Sequence, residues 1–361
     1  MNDKLDASNF ARNDPRDQMT FDVSIIVPVH NAEPHLPQTF ELLLRQSGPS
    51  VEIIVVDDHS SDKTFQVVNG WSGVLPNLTV ISAIGRGVAS ARNQAVSSAR
   101  GEYVWFTDCD DTWESSIVTD MLIRARTTGA DITICNAVKI LPDGPGSSIT
   151  DASSSEILTG ELALRRLFRG EVQGHLWNKL FKRSLFDGNP FPPTRAHSDL
   201  GAMFGLLAAS STVAFLPKQL YNYFIHAGSI LNGREYRWDD LQDCLVLANR
   251  AADTISSSEG TRADLAIFKY QNVVIPLVNE TVRREEWTDK PDIAALRAKL
   301  RNSTRFPDLL LIIKAGKPKL AARVLVLKIT PRLYFALYRT HRNRVWSTLD
   351  KEGPKASTRR P

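Results

Sequence analysis

The sequence predicts an α/β fold: a mixed, mainly parallel sheet flanked by helices, followed by a helical C-terminal region. Three observations carry that expectation. Short runs rich in Val and Ile alternate with segments of helical apolar spacing from Val23 to about Trp113. Strand, helix, strand in this rhythm implies parallel pairing through right-handed crossovers. Three of the first four strand runs end in polar clusters: His30-Asn31, Asp57-Asp58, and Asp108 with Asp110 and Asp111. Sheets of this kind bind ligands beyond the carboxyl ends of their strands, so the acidic groups gather at a functional rim.

Val23 to Val27 is a β-branched run closed by Pro28, as a buried strand should be. Leu36 to Gln46 places Leu36, Phe40, Leu43 and Leu44 at helical spacing. Val51 to Val56 is the second strand, and Asp62 is a candidate cap for a helix running to about Trp71. Leu78 to Ile81 is the third strand. Gly85-Arg86-Gly87 then breaks the chain before a helix from Val88 to Ala99, and Glu102 to Thr107 is the fourth strand. Ile132 to Asn136 reads as a further strand, while Leu141 to Ser155 is rich in Pro, Gly and Ser and reads as a loop. From Leu158 to about Arg284 the pattern is mostly helical, interrupted by one or two strands in Val213 to Tyr223.

The chain has 361 residues, 42% apolar and 23% charged. At roughly 150 residues per domain this gives about two domains, and it excludes collagen, a disulfide-rich miniprotein and a wholly disordered chain. The formal charge of +4 joins two unlike parts, since residues from Lys314 onward carry +11 and the first 313 carry −7. The three cysteines, Cys109, Cys135 and Cys244, are widely spaced and odd in number, which fits a reducing compartment better than disulfides or zinc. Residues 1–20 read as a disordered leader without the apolar core of a signal peptide, and no run of eighteen apolar residues occurs.

Asp108 and Asp110, one residue apart on a loop, suit a hard divalent cation shared with a diphosphate, Mg²⁺ above all. The same residues suit an Asx-turn or the cap of the helix at Ile117. Asp57 and Asp58 suit a ribose hydroxyl or a base N–H, with a turn role for one of the pair. Arg92 suits a phosphate clamp or a solvated helical charge. Gly85-Arg86-Gly87 is only a fragment of a glycine-rich phosphate loop, which weakens ATPase and dinucleotide readings.

The stretch Val23 to Trp113 resembles glycosyltransferase family 2. The matching blocks are Val23-Ser24-Ile25-Ile26-Val27-Pro28-Val29-His30-Asn31, Glu52-Ile53-Ile54-Val55-Val56-Asp57-Asp58-His59-Ser60, Gly87-Val88-Ala89-Ser90-Ala91-Arg92-Asn93, and Gly101 to Asp111. The resemblance implies a GT-A, Rossmann-like fold and a nucleotide-sugar donor, usually a UDP-sugar. It implies Asp108-Cys109-Asp110 as the DXD motif holding Mg²⁺ or Mn²⁺, with Pro28, His30 and Asp58 lining the nucleoside pocket and Arg92 near the donor. The family more often has Tyr where His30 stands and Gly where His59 stands. A weaker likeness covers Trp177-Asn178-Lys179-Leu180 and His197-Ser198-Asp199-Leu200, which look like segments of bacterial capsule, teichoic-acid and lipopolysaccharide transferases. It implies Asp199 as catalytic base, with Ser198 where Glu is common and His197 as an alternative base. Asp199 also suits the cap of the helix through Met203. Lys179 is expected to meet donor phosphate or acceptor, or to be a solvated charge beside a core Trp177.

These implications add up to an inverting transferase moving a sugar to a hydroxyl of a saccharide or lipid-linked acceptor in cell-surface polysaccharide synthesis. The alternatives are a sugar nucleotidyltransferase and a degenerate sugar-nucleotide or membrane-binding adaptor. The domains expected are the leader to residue 20, the GT-A domain over 21–230, a helical region over 231–306 and a basic amphipathic tail over 307–361. That tail alternates short apolar runs with Lys and Arg, which suits helices lying on an anionic membrane surface. No aromatic-and-basic nucleic-acid motif is present, so no nucleic-acid partner is expected. A cytoplasmic protein, peripheral on the inner face of the cell membrane, is the expected location.

Overall fold

In the computed structural model, which describes residues 21–46, 48–141, 146–194, 196–225, 238–283 and 290–351, the apolar runs become buried strands. The chain divides into two compact units, residues 1–167 with 171–240, and residues 168–170 with 241–361. The leader and residues 352–361 lie outside the described residues.

The first unit opens with β1 (Phe21–Val29), α1 (Leu36–Leu44), β2 (Val51–Asp57), α2 (Thr64–Gly70), β3 (Leu78–Ser82), α3 (Val88–Ser98) and β4 (Gly101–Phe106). Here the expected alternation holds, and β1 pairs in parallel with both β2 and β4 while β2 pairs in parallel with β3. Pro28 sits past the last β1–β4 pair, Ile26 with Phe106, so its missing N–H breaks no ladder bond. Asp62 stands one residue before the cap position. Its carboxylate accepts from the Thr64 amide at 3.0 Å and from the Glu33 amide at 3.2 Å, tying the loop after β1 to the loop after β2.

One buried polar group inside this sheet is fully paired. Glu52, 1% exposed, accepts from Ser24 Oγ at 2.7 Å, the Arg100 amide at 2.6 Å and the Arg100 guanidinium at 3.1 Å. Gly101 continues the network, donating to Ser24 Oγ at 2.8 Å, and a Cβ there would lie 2.4 Å from the Ser24 amide nitrogen. Only glycine fits that approach.

The chain continues through β5 (Thr112–Trp113), α4 (Ile117–Thr128), β6 (Ile132–Ile140), β7 (Ser148–Ile149), β8 (Ile157–Leu158), α5 (Gly160–Arg169), β9 (Lys179–Lys182), α6 (Ser198–Ala209) and β10 (Val213–Phe224). The main strand order is β3-β2-β1-β4-β9-β6-β10-β5, so the sheet is mixed. One difference from the sequence reading stands out. The segment read as helical after Leu158 contains β9, which pairs antiparallel with both β4 and β6 and bridges the two halves of the sheet. Its lysines hid it, because Lys179 is buried against a counter-ion rather than facing water. Val213 to Phe224 is a single strand, irregular in register between Leu216 and Tyr221 around Pro217.

In the second unit, α7 runs from Trp238 into it to Asp253, and α8 (Glu259–Phe268) is capped by Ser258, whose hydroxyl accepts from the Thr261 amide at 3.1 Å. A π-helical segment (Lys269–Val274) joins α8 to α9 (Ile275–Arg283). It turns Lys269 and Tyr270 onto Asp308, at 3.0 and 2.7 Å, at the start of α11. After α10 (Lys290–Asn302), the basic tail forms α11 (Phe306–Lys314), α12 (Pro318–Ile329) and α13 (Pro331–Lys351). Pro318 and Pro331 open their helices where the missing amide hydrogen costs nothing.

Candidate active site

Three chain segments meet at the carboxyl end of β4. Asp108 and Asp110 follow that strand, with Asp108 half-buried and Asp110 exposed. From α3, Arg92 reaches in and places Nη2 3.4 Å from Asp108 Oδ1. Arg92 is 8% exposed, so it is not a solvated helical charge, and its Nε is buried without a hydrogen-bond partner. Asp199, in the first turn of α6, is the third contributor. Burial pushes the Asp108 carboxyl above its usual range, Arg92 opposes this, and Asp110 and then Asp199 push it further. Asp108, Asp110 and Asp199 therefore share one field, although the loop and the helix lie far apart in the chain.

The loop bearing Asp108 and Asp110 is held from three sides. Thr39 Oγ1 of α1 donates to the Cys109 carbonyl at 2.7 Å. Asp111, 3% exposed, accepts from the Phe224 amide at 2.8 Å and from the Tyr221 hydroxyl at 2.9 Å. The Asp108 amide donates to the same Tyr221 hydroxyl at 3.3 Å. Burial first, then Asp108, pushes the Asp111 carboxyl up to about 8. Tyr221 is itself clamped, stacking on Trp177 at 4.6 Å and on Trp113 at 6.2 Å. Tyr221→Phe removes the hydroxyl that joins the two ends of this loop and should lower stability by about 1–2 kcal/mol. A thermal melt checks this, and an unchanged midpoint would show that the hydroxyl does not brace the loop.

Around Asp199 the geometry departs from the sequence reading. The α6 cap is His197 in a left-handed conformation (φ 61), without a side-chain cap bond, and among the described residues Asp199 accepts from its neighbour Leu200 N at 2.8 Å. The cap role is therefore not its role, and its second oxygen lies 4.0 Å from His175 Nδ1. His175 stacks on Trp177 with ring centroids 4.7 Å apart. Burial holds its imidazole below the usual range despite Asp199 nearby.

Lys179 lies inside the domain, not at the rim. It is 0% exposed, with Nζ donating to the His175 carbonyl and to Asn178 Oδ1, each at 2.7 Å, and standing 3.5 Å from Asp151 Oδ2. It holds the His175 backbone. Its amine is not a solvated charge.

At the ends of β1 and β2 a second group assembles. The His30 ring donates to the Asp58 carbonyl at 2.7 Å, and Asn31 (φ 49) accepts from Ser61 N at 2.8 Å. Asp57 accepts from the Ser60 hydroxyl and amide, which makes it the turn residue of the pair. Asp58 Oδ2 takes the Gly87 amide at 2.8 Å, and Gly87 needs a positive φ (91) at the entry to α3. Asp58 thus links the end of β2 to the helix that carries Arg92. Pro28 lies half-buried beside this group.

Sequence reasoning gave no role to His175, Asp151, Tyr221 or Asn93. Asn93 exchanges two hydrogen bonds with the Phe191 backbone, at 2.9 and 3.1 Å, and the Phe191 ring lies under Arg92 with the guanidinium carbon 5.9 Å from its centroid. Pairing between positions so distant in the chain leaves no periodic trace in a single sequence.

The sequence profile described as glycosyl transferase family 2 matches residues 24–188, which span β1 through β9 and include Arg92, Asp108 and Asp110. Residues 24–188 are a family 2 glycosyltransferase domain. The chain is accordingly a glycosyltransferase. EpsH of Bacillus subtilis (strain 168) is 29% identical over 267 residues, covering 72% of this chain and 77% of EpsH. The succinoglycan biosynthesis protein ExoO of Rhizobium meliloti (strain 1021) is 28% identical over 240 residues, 64% of this chain and 67% of ExoO. Among solved structures, that of S. aureus TarS 1–349 in complex with UDP-GlcNAc superposes with a TM-score of 0.70 at 20% identity, covering 89% of this chain and 91% of TarS 1–349. That likeness shows the fold, GT-A, in which the family 2 domain continues into a helical C-terminal region.

Proposed function

We propose that this glycosyltransferase moves a sugar, with inversion, from a UDP-sugar to a hydroxyl of a saccharide or lipid-linked acceptor in cell-surface polysaccharide synthesis. The observation that carries the reading is the meeting of Asp108, Asp110, Arg92 and Asp199 from three segments at one strand end. The UDP-GlcNAc held by TarS and the glycan product named for ExoO support the donor and the pathway.

Among the described residues no group of three or more His, Cys, Asp or Glu side chains is placed to hold a metal ion. Two carboxylates one residue apart fit Mg²⁺ or Mn²⁺ nonetheless, since such ions take one or two protein carboxylates and fill their remaining positions with phosphate oxygens and water. Asp108 and Asp110 would hold it, and the bound cation would supply Lewis-acid stabilisation of the leaving diphosphate. Arg92, kept against Asp108, adds fixed positive charge beside the diphosphate. Pro28, His30, Asn31 and Asp58 receive the nucleoside, with Asp57 shaping their turn. Asp199 takes the proton of the acceptor hydroxyl as that oxygen attacks the anomeric carbon. His175 and Lys179 act behind it, fixing its surroundings.

A thermal-shift screen of nucleotide sugars with and without Mn²⁺ tests the reading. Stabilisation by uridine nucleotides that requires Mn²⁺ is expected. A protein stabilised by none of them in either condition contradicts it.

A further inference from the structure

The three helices of the tail carry apolar residues on two faces. Leu309 and Ile312 of α11, Leu320, Val324 and Leu327 of α12, and Tyr334 of α13 are buried. A second set points outward: Phe306, Leu310 and Ile313 on α11, Leu325 and Ile329 on α12, and Leu333 and Leu337 on α13, exposed by 38% to 64%. Seven of the sixteen exposed large apolar side chains among the described residues thus fall within 306–337. Scattered exposed apolar residues are ordinary, but these are not scattered. Phe306, Leu310 and Ile313 follow helical spacing, and Leu325, Ile329, Leu333 and Leu337 keep a four-residue spacing straight across the α12–α13 junction.

The charges interleaved with this set have one sign. Between Phe306 and His341 the chain has Lys314, Lys317, Lys319, Arg323, Lys328, Arg332 and Arg339 against a single acid, Asp308. Asp308 is occupied by Lys269 and Tyr270. Among the described residues no helix is long and apolar enough to cross a membrane. Outward Leu, Ile and Phe among lysines and arginines are what an interfacial helix presents to acyl chains and anionic headgroups.

We infer that α11, α12 and α13 form a docking surface for an anionic lipid bilayer, with Phe306, Leu310, Ile313, Leu325, Ile329, Leu333 and Leu337 entering the headgroup boundary. The basic complement selects this occupant over a second copy of the chain. Lys314 pairs with Glu259 of α8 at 2.8 Å, and two copies would bring the remaining six like charges against their equals, which like-charge juxtaposition opposes.

The test uses the full chain and vesicles of phosphatidylcholine with or without phosphatidylglycerol. Co-sedimentation with the anionic vesicles is expected, weak with pure phosphatidylcholine and reduced by salt. The variant Leu310→Glu/Ile329→Glu/Leu333→Glu should lose at least about tenfold in vesicle binding, since three membrane-entering apolar side chains are replaced by repelled charges. All three positions are exposed, so its melting midpoint and its rate of donor hydrolysis in solution should match the parent. Equal vesicle binding by parent and variant overturns the inference, as does no binding by the parent. Concentration-dependent self-association of the parent, abolished in the variant and without vesicle binding, would assign the surface to a second copy instead. Vesicle binding is read without the donor, so a failure there leaves the transfer reading standing.

Discussion

Asp199→Asn lowers transfer by about 10²–10⁴-fold while donor binding persists, because a positioned general base contributes on that order. The substitution keeps the shape and the hydrogen bond from Leu200 N, so α6 is undisturbed. It removes the carboxylate proposed to accept the proton. The rate is read as nucleoside diphosphate released in the presence of acceptor, and donor binding as Mn²⁺-dependent thermal stabilisation. The expected pattern is a fall in kcat with little change in donor KM. Full transfer activity in this variant would remove Asp199 from the base role and leave His175, 4.0 Å away, as the next group to consider.

Asp110→Ala has the second large effect, acting on the donor side rather than on the acceptor proton. Asp110 is exposed on the loop, and the Tyr221 and Phe224 bonds that brace the loop are made by Asp111. Loss of Asp110 halves the carboxylate pair available to a divalent cation. A cation's electrostatic contribution to a leaving diphosphate is worth several kcal/mol, so a fall of at least about a hundredfold in transfer is expected. Partial recovery at raised Mn²⁺ should accompany it. A variant with unchanged rate and unchanged Mn²⁺ dependence would show that Asp110 does not serve a metal. Together the two substitutions separate proton removal from diphosphate stabilisation, since the first spares donor binding and the second impairs it.

How much of this is legible in the sequence differs between the two halves of the sheet. The strands β1 to β4 are local signals: each is a short apolar run, and each crossover helix follows within a few residues. Their alternation alone puts their polar ends at one rim. The β9 strand is not legible in the same way, because its only polar inward residue is a lysine. The counter-ion of buried Lys179 is Asp151, 3.5 Å away, and nothing in a single sequence ties position 151 to position 179. The same reason separates the site residues. Asp108 and Asp110 announce themselves by spacing and by the family resemblance, and Arg92 by its place in a matching block. Tyr221 and His175 matter through partners 110 and 24 residues away, Asp111 and Asp199, and those contacts exist only after β10 and α6 have packed. Asn93 is in view within a matching block, yet its function, holding the Phe191 backbone, is tertiary. The tail is half legible: its basic charge and apolar runs are plain, whereas the outward stripe emerges only once the helices have packed and buried their other face.

The acidic character of the rim gives the most direct test. Asp108 shares a field with Asp110 and Asp199, and Arg92 alone among these four residues carries positive charge. A diphosphate approaching that rim meets net negative charge unless a divalent cation sits on the pair. Isothermal titration of UDP into the protein, in Mn²⁺ and again in EDTA, measures this without knowledge of the sugar or the acceptor. Saturable binding is expected in Mn²⁺ and at least about tenfold weaker binding in EDTA, on the strength of the charge that the cation neutralises. Equal affinity in the two conditions would contradict this.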